Sequence, residues 1–246
     1  MKVQNKVLVD YLNEINLNNT VNEVVLNFEE EGVTTIAMSP DNVLFVKNKI
    51  LKDAFIQYQV IGKITFDELS TFIKFLQLFG DSLEIKKSSN SLLISDDNNK
   101  TGEFILVNEE YINKEQKEPN VVYDIEFDID IDIFKDINKC ADLVSDNFKL
   151  IKLEIKNKNL TVTTGDIHTI ARKMTINKEV KNCKVVVGNM LGKITKILQG
   201  TITMKLKNEY PITINKKTDK GNLVYIIAPM DPGEEQKKEV EVEDQI

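Results

Sequence analysis

Apolar positions change period repeatedly along the chain, and each change marks an element. Leu8, Leu12 and Ile15, with Tyr11 beside them, recur at helical spacing and predict a short amphipathic helix. Val24-Val25-Leu26-Asn27-Phe28 and Val33-Thr34-Thr35-Ile36-Ala37-Met38 then flank Glu29-Glu30-Glu31-Gly32. Strand-forming runs on both sides of a glycine able to take positive φ predict a hairpin. Further strands are predicted from Val43 to Val46 and from about Gln57 to Ile64. The clearest helical pattern runs from Thr65 to Phe79, with Thr65 and Glu68 spaced as a capping box and Gly80 placed as a stop. Short strands follow at Leu83-Ile85, Leu92-Ile94 and Phe104-Val107.

Residues 108–120 (NEEYINKEQKEPN) break the pattern: they are charged, end near a proline, and offer only Tyr111 and Ile112 as large apolar groups. They read as a linker with one small hydrophobic anchor. Order then resumes. A strand is predicted from Val121 to Phe127, and a helix from about Ile133 to Val144 with Phe134, Ile137, Ala141 and Val144 on one stripe. A hairpin follows, with arms at Phe148–Ile155 and Leu160–Thr164, then strands at about Thr169–Ile176 and Lys184–Val187. A helix from about Asn189 to Leu198 is closed by Gly200, and strands at Ile202–Leu206, Pro211–Ile214 and Leu223–Ile227 complete the pattern.

The two halves are in register. Placing Gly32 on Asn159, an offset of 127 (159 minus 32), puts Val24, Leu26, Phe28 and Val33 on Ile151, Leu153, Ile155 and Leu160. Gly80 and Gly200 are offset by 120 (200 minus 80), so loop lengths differ between the halves. An internal duplication accounts for both numbers. The expected organisation is two similar α+β domains, 1–107 and 121–230, joined by the 108–120 loop and followed by an acidic tail, 231–246, expected to be disordered.

Composition narrows the chemistry. The chain has 246 residues, 41% hydrophobic and 29% charged, a globular balance, and no apolar run long enough to span a membrane. Polar residues directly after Met1 predict no signal peptide. Cys140 and Cys183 make no disulfide framework and point to a reducing interior. One histidine, His168, makes histidine-based catalysis and multi-histidine zinc sites unlikely solutions, and the two cysteines lack tight metal spacing. A net charge of −7 argues against a broadly basic nucleic-acid coat but allows a local basic face. The run Asp124-Ile125-Glu126-Phe127-Asp128-Ile129-Asp130-Ile131-Asp132 puts carboxylates at period two. An EF-hand is excluded, because Phe134 and Lys135 stand where Gly and a later Glu are needed. The preferred reading is a strand with a solvated acidic face, followed by Asp130 or Asp132 capping the next helix; a carboxylate-dependent nuclease is the sharper alternative.

Several segments resemble the sliding clamps related to proliferating cell nuclear antigen. Ala37-Met38-Ser39-Pro40-Asp41 resembles the Ala-Met-Asp segment after that family's first hairpin, and Ala141-Asp142-Leu143-Val144-Ser145-Asp146-Asn147-Phe148 its third helix and following turn. Pro211 matches a penultimate strand, and Tyr225-Ile226-Ile227-Ala228-Pro229 the C-terminal strand. The resemblance covers about residues 1–230 and implies a duplicated DNA-clamp fold, with helices lining a central hole and sheets outside. It implies a ring, usually a homotrimer, with no catalysis, no cofactor and no metal. Duplex DNA would pass through without sequence preference, and a clamp loader, DNA polymerase and other clamp-binding-motif proteins would be partners. The compartment would be a prokaryotic or virus-infected cytoplasm, or a nucleus. A ring subunit for checkpoint or transcription scaffolding is the nearer alternative.

The same resemblance assigns residues. Lys74 and Gln77 match DNA-facing positions of the second helix, Lys139 one of the third, and Lys196, with Lys193 on the same face, the fourth. Lysine suits a sliding contact because it is a mobile point charge. The first helix departs from the pattern, showing Asp10, Asn13 and Glu14, and Asp136 stands where a basic residue is expected. The subunit boundary would pair Phe104 and Leu106 with Ile170, Arg172 and Met174, Arg172 meeting an acid across the junction. The partner-peptide pocket would draw on Met38, Leu44, Tyr111, Ile112, Pro211, Ile226, Ile227, Ala228 and Pro229.

Overall fold

The computed structural model describes residues 1–108, 110, 112, 116–142, 150–164, 170–177 and 179–230. Strand β1 (Lys2–Gln4) runs directly into helix α1 (Asn5–Asn16), followed by β2 (Val24–Glu29), β3 (Gly32–Met38), β4 (Leu44–Leu51) and β5 (Gly62–Phe66). Helix α2 (Leu69–Leu76) and strands β6 (Ser82–Lys87), β7 (Ser91–Asp96) and β8 (Thr101–Ile105) complete the first half. The second half repeats the order: β9 (Ile125–Asp130), α3 (Phe134–Ala141), β10 (Ile151–Lys156), β11 (Asn159–Thr164), β12 (Ile170–Thr175), β13 (Cys183–Val187), α4 (Met190–Ile197), β14 (Thr201–Leu206), β15 (Ile212–Thr218) and β16 (Gly221–Ile227).

Strand pairing repeats too. β2 pairs with β3 and β5, as β10 pairs with β11 and β13; β3 pairs with β4 as β11 pairs with β12; β1 pairs with β6 as β9 pairs with β14, all antiparallel. β2 and β10 even share one alternation of buried and half-buried positions, ending exposed. Glu29 faces Gly32 and Lys156 faces Asn159, which is the 127-residue offset. The two turns solve the same geometry differently. Gly32 carries φ +141 and would bring a Cβ 2.1 Å from Ile50 O, whereas Asn157 and Lys158 themselves adopt left-handed φ of 49 and 65.

Two compact units emerge: Met1–Pro119 with Asn215–Tyr225, and Asn120–Ile214 with the chain from Ile226. In the first, the core is built from Leu12, Ile15, Leu26, Phe66, Leu69 and Phe72, and α1 lies against α2. The 215–225 segment brings the start of β16 beside β4, where Leu51 N donates to Lys220 O at 2.7 Å. Gly221 is required there, because a Cβ would lie 1.9 Å from Lys49 O. In the second unit Phe134, Ile137, Leu153, Leu160, Leu191 and Ile194 form the core beneath α3 and α4.

Several boundaries differ from the sequence pattern. α2 spans Leu69–Leu76, not Thr65 to Phe79; Thr65 sits inside β5 opposite Val25, so no capping box forms. A residue distant in sequence caps the helix instead: Asn22 O accepts from Leu69 N at 3.1 Å, and Asn22 Oδ1 from Ser70 N at 3.2 Å. At the other end Asn5 Nδ2 donates to Leu76 O, Phe79 O and Gly80 O. The strand expected from Gln57 begins only at Gly62, because a 3-10 turn (Lys52–Ala54) and a loop precede it, held where Tyr58 OH donates to Glu29 O and Gly32 O at 2.7 Å. The acidic strand runs from Ile125 rather than Val121. Val144, His168, Thr169 and the 231–246 tail lie outside the described residues, as do 143–148 of the quoted third-helix segment. Asn22→Ala should cost about 1–2 kcal/mol, a cap-sized loss, and lower the midpoint of a calorimetric melt by roughly 2–8 °C. Asn22→Asp, which keeps the acceptor, should recover most of it.

Candidate nucleic-acid and partner interfaces

Most of the helix-borne lysines are exposed, and most are already paired. Lys74 and Gln77 are exposed at the end of α2, and Lys74 has no acidic partner among the described residues. On the second unit, Asn138 Nδ2 donates to Thr195 Oγ1 at 2.9 Å, a buried bond that locks α3 to α4. Lys196 Nζ, next along α4, meets both carboxylate oxygens of Asp142 at 2.7 and 2.8 Å. Lys135 pairs with Asp132 at 2.8 Å, and Lys139 lies 3.9 Å from Asp136. Lys193 is half-buried. On α1, Asp10 is paired with Lys6 at 3.1 Å. Glu14 turns inward: it accepts from Asn48 at 3.2 Å, and burial raises its carboxyl above the ordinary range.

Asp136 explains its own presence. Its other oxygen binds Arg172 of β12 within the same chain. Helix α3 packs against β12 and so supplies Arg172 with an acid from its own chain.

Strand edges follow from sheet order. β8 ends the β1-β6-β7-β8 sheet, and β12 ends the β12-β11-β10-β13 sheet. Along β8, Phe104 turns inward, its ring 4.9 Å from Phe72 and 5.5 Å from Phe75, and Ile105 is the outward side chain, 63% exposed. Leu106 follows half-buried. On β12, Ile170 and Met174 are half-buried and Arg172 is exposed.

The partner-pocket residues divide between the units. In the first, Met38 and Ile112 line one groove of about 920 Å³, with Val25 and Ile36 on its sheet wall and Gln116 and Lys117 from the linker. Lys47 of β4 holds the linker's end through Glu118 at 2.6 Å. Leu44 has no exposed surface and belongs to the core; Tyr111 lies outside the described residues. In the second unit Pro211, Ala228 and Pro229 are half-buried, whereas Ile226 and Ile227 are buried. The sequence reading passed over Tyr210, 46% exposed with Lys207 Nζ 4.0 Å from its ring centre, and Met230, 40% exposed. Their signal was position: each adjoins a proline already singled out.

The acidic strand does not converge on a metal. Glu126, Asp128 and Asp130 alternate outward, and each has its own partner: Lys205 at 3.1 Å, Thr203 at 2.7 Å and the Asp132 amide at 2.9 Å. Asp130 thus caps the 3-10 turn (Ile131–Ile133) leading into α3. Among the described residues no three His, Cys, Asp or Glu side chains cluster to hold an ion. Burial pushes the Cys183 thiol up to about 11, too high for a thiolate nucleophile near neutral pH. Among the described residues no helix is long and apolar enough to cross a membrane.

No protein-family model matches the chain. The DNA polymerase sliding clamp of Nanoarchaeum equitans is 24% identical over 220 residues, covering 81% of this chain and 87% of that protein. Among solved structures, A. fulgidus PCNA bound to the C-terminal region of FEN-1 superposes with a TM-score of 0.80 at 20% identity, covering 94% of this chain and 97% of that one. A PCNA2–PCNA3 complex from Sulfolobus tokodaii follows, with a TM-score of 0.75 at 17% identity and 93% and 98% covered. The chain is thus similar in sequence to an archaeal DNA polymerase sliding clamp over four-fifths of its length, and it shares the duplicated fold of the solved PCNA structures.

Proposed function

We propose that the chain is a processivity clamp: a non-catalytic subunit that closes with copies of itself into a ring around duplex DNA and tethers DNA polymerase and other DNA-processing enzymes. The observation that carries this is the pair of open edges. β4 and β12 are the fourth strands of their repeats, and β8 and β16 the last. Within the first unit, β4 is covered by the start of β16. By the same repeat logic, β12 has a cognate strand in β8, and the β8 of a second copy is free to supply it. Each copy offers one of each edge, so contacts run head to tail and close into a ring if the rotation permits. Leaving both open would expose ladder groups that invite aggregation.

A DNA polymerase partner is supported by the name of the N. equitans relative, and a further protein partner by the A. fulgidus structure, which holds the C-terminal region of FEN-1. A clamp loader is the partner that ring opening would require. The groove beneath the linker, with Met38 and Ile112 in its wall, suits a short peptide with hydrophobic anchors. Location inside a cell follows from the DNA substrate. Light scattering should give a mass near three times the chain's 28.1 kDa at tens of micromolar, falling on dilution. A mass of one chain throughout that range would overturn the self-assembling ring.

A further inference from the structure

The lysines of the α3–α4 surface are not free cations waiting for phosphate. A groove of about 550 Å³ there is lined by Lys135, Lys139 and Lys196 together with Asp132, Asp142 and Asn138. Lys196 is held by both oxygens of Asp142, and Lys135 by Asp132. Lys139 has the weakest hold, because Asp136 lies 3.9 Å away and also binds Arg172. The Asn138–Thr195 bond fixes the two helices, so these charges keep a set spacing. The paired side chains remain substantially exposed, between 43% and 65%, so each pair is weak and can exchange partners.

We propose that this groove is a self-neutralised track for the nucleic-acid backbone, in which Asp132 and Asp142 act as resident counterions that phosphates must displace. This rests on the clamp reading given above and adds what sets the strength of the contact. A free lysine that neutralises a phosphate releases a condensed cation, and the log-log salt slope steepens by roughly −0.9 for each phosphate. A lysine that must first give up an aspartate gains less. The phosphate still sheds its cation, but the released carboxylate attracts one back, and it also remains nearby as a like charge. The exchange therefore contributes little affinity and little salt dependence. A contact of this kind never holds one position along the duplex, which is what a sliding ring needs. Lys74, without an acidic partner, and Lys139 carry the remaining attraction.

The test is anisotropy of a short labelled linear duplex with the full chain, titrated across a sodium chloride series. Asp132→Asn combined with Asp142→Asn should tighten binding about tenfold at low salt and steepen the slope by roughly −1.8, two lysines' worth. Lys135→Gln combined with Lys196→Gln should weaken binding by a similar factor, since it leaves Asp132 and Asp142 as uncompensated negative charges beside the phosphates. Lys74→Glu should weaken binding clearly. If Lys74→Glu weakens binding but the aspartate variant matches the parent in affinity and slope, the groove is idle and the proposal fails while the clamp reading stands. If none of the variants differs from the parent, the helices do not face duplex, and both fall. Superimposable thermal melts of the exposed asparagine variants confirm that the folded state is unchanged.

Discussion

Replacing Ile105 with Asp is expected to leave the chain monomeric at concentrations where the parent assembles. Ile105 is 63% exposed at the open edge of β8, so the free subunit tolerates the change without a cavity or a buried charge. In the proposed ring the same position would lie against the incoming β12 edge. There an aspartate would lose its water beside the apolar Ile170 and Met174, and Arg172 between them is already held by Asp136. Desolvating a charge without a partner costs several kcal/mol. A cost of about 3 kcal/mol weakens each contact by roughly a hundredfold, and a ring has one such contact for every subunit. Ile170→Asp should behave alike from the other side. Two comparisons separate this from damage to the fold. Ile56→Asp, 59% exposed on the loop before β5, should assemble normally. Phe104→Asp should unfold the first unit, because that ring is packed among Phe66, Phe72 and Phe75. Sedimentation velocity reads all four. An Ile105→Asp protein with the parent's mass would remove β8 from the boundary.

The contrast between Ile105 and Phe104 shows where the sequence stops being informative. The second hairpin was legible because polar and apolar residues alternate through Ile151–Ile155, which fixes the inward face, and the 127-residue offset carries that parity to Val24–Phe28. Phe104-Ile105-Leu106 is apolar at three consecutive positions, so parity cannot be read from it; the cluster with Phe72 and Phe75 decides it. Leu44 and Ile227 belong to similar runs, Val43–Val46 and Tyr225–Ile227, and both proved to be core. The limits of α2 were misread for a different reason. Thr65, Glu68 and Gly80 form a sound local signal, but Asn22 and Asn5 supply the caps from more than forty residues away. Local capping rules assume a local donor or acceptor. The same blindness hid the charge pattern of the helices: Arg172–Asp136 and Lys196–Asp142 join residues far apart in sequence. Asp136 looked like a departure from a basic surface, yet it is a tether between α3 and β12.

Partner docking should depend most on Met38 and Ile112, because these half-buried apolar side chains line the groove from the sheet and from the linker, with Val25 also on the sheet wall. A peptide with the glutamine-plus-aromatics motif of clamp partners is expected to bind the parent at micromolar strength with a negative heat-capacity change, since apolar surface is removed from water. Fully burying a Met or Ile side chain is worth about 1.5–3 kcal/mol. Both are already half covered, so truncating the two should cost about 2 kcal/mol together, some thirtyfold in affinity. Met38→Ala with Ile112→Ser is therefore the informative double variant. Leu44→Ser and Ile227→Ser are not, because a polar group in those fully buried positions lowers fold stability and confounds any loss of binding. Glu118→Gln tests the linker's anchorage separately. Lys47 and Glu118 are both nearly half exposed, so their pair contributes at most about 1 kcal/mol, and the expected loss is less than fivefold. Titration calorimetry measures all of these, with light scattering to verify that the mass is unchanged. Should the Met38→Ala/Ile112→Ser protein bind as tightly as the parent, peptide docking does not use this groove, and Tyr210 and Met230 of the second unit become the side chains to truncate next.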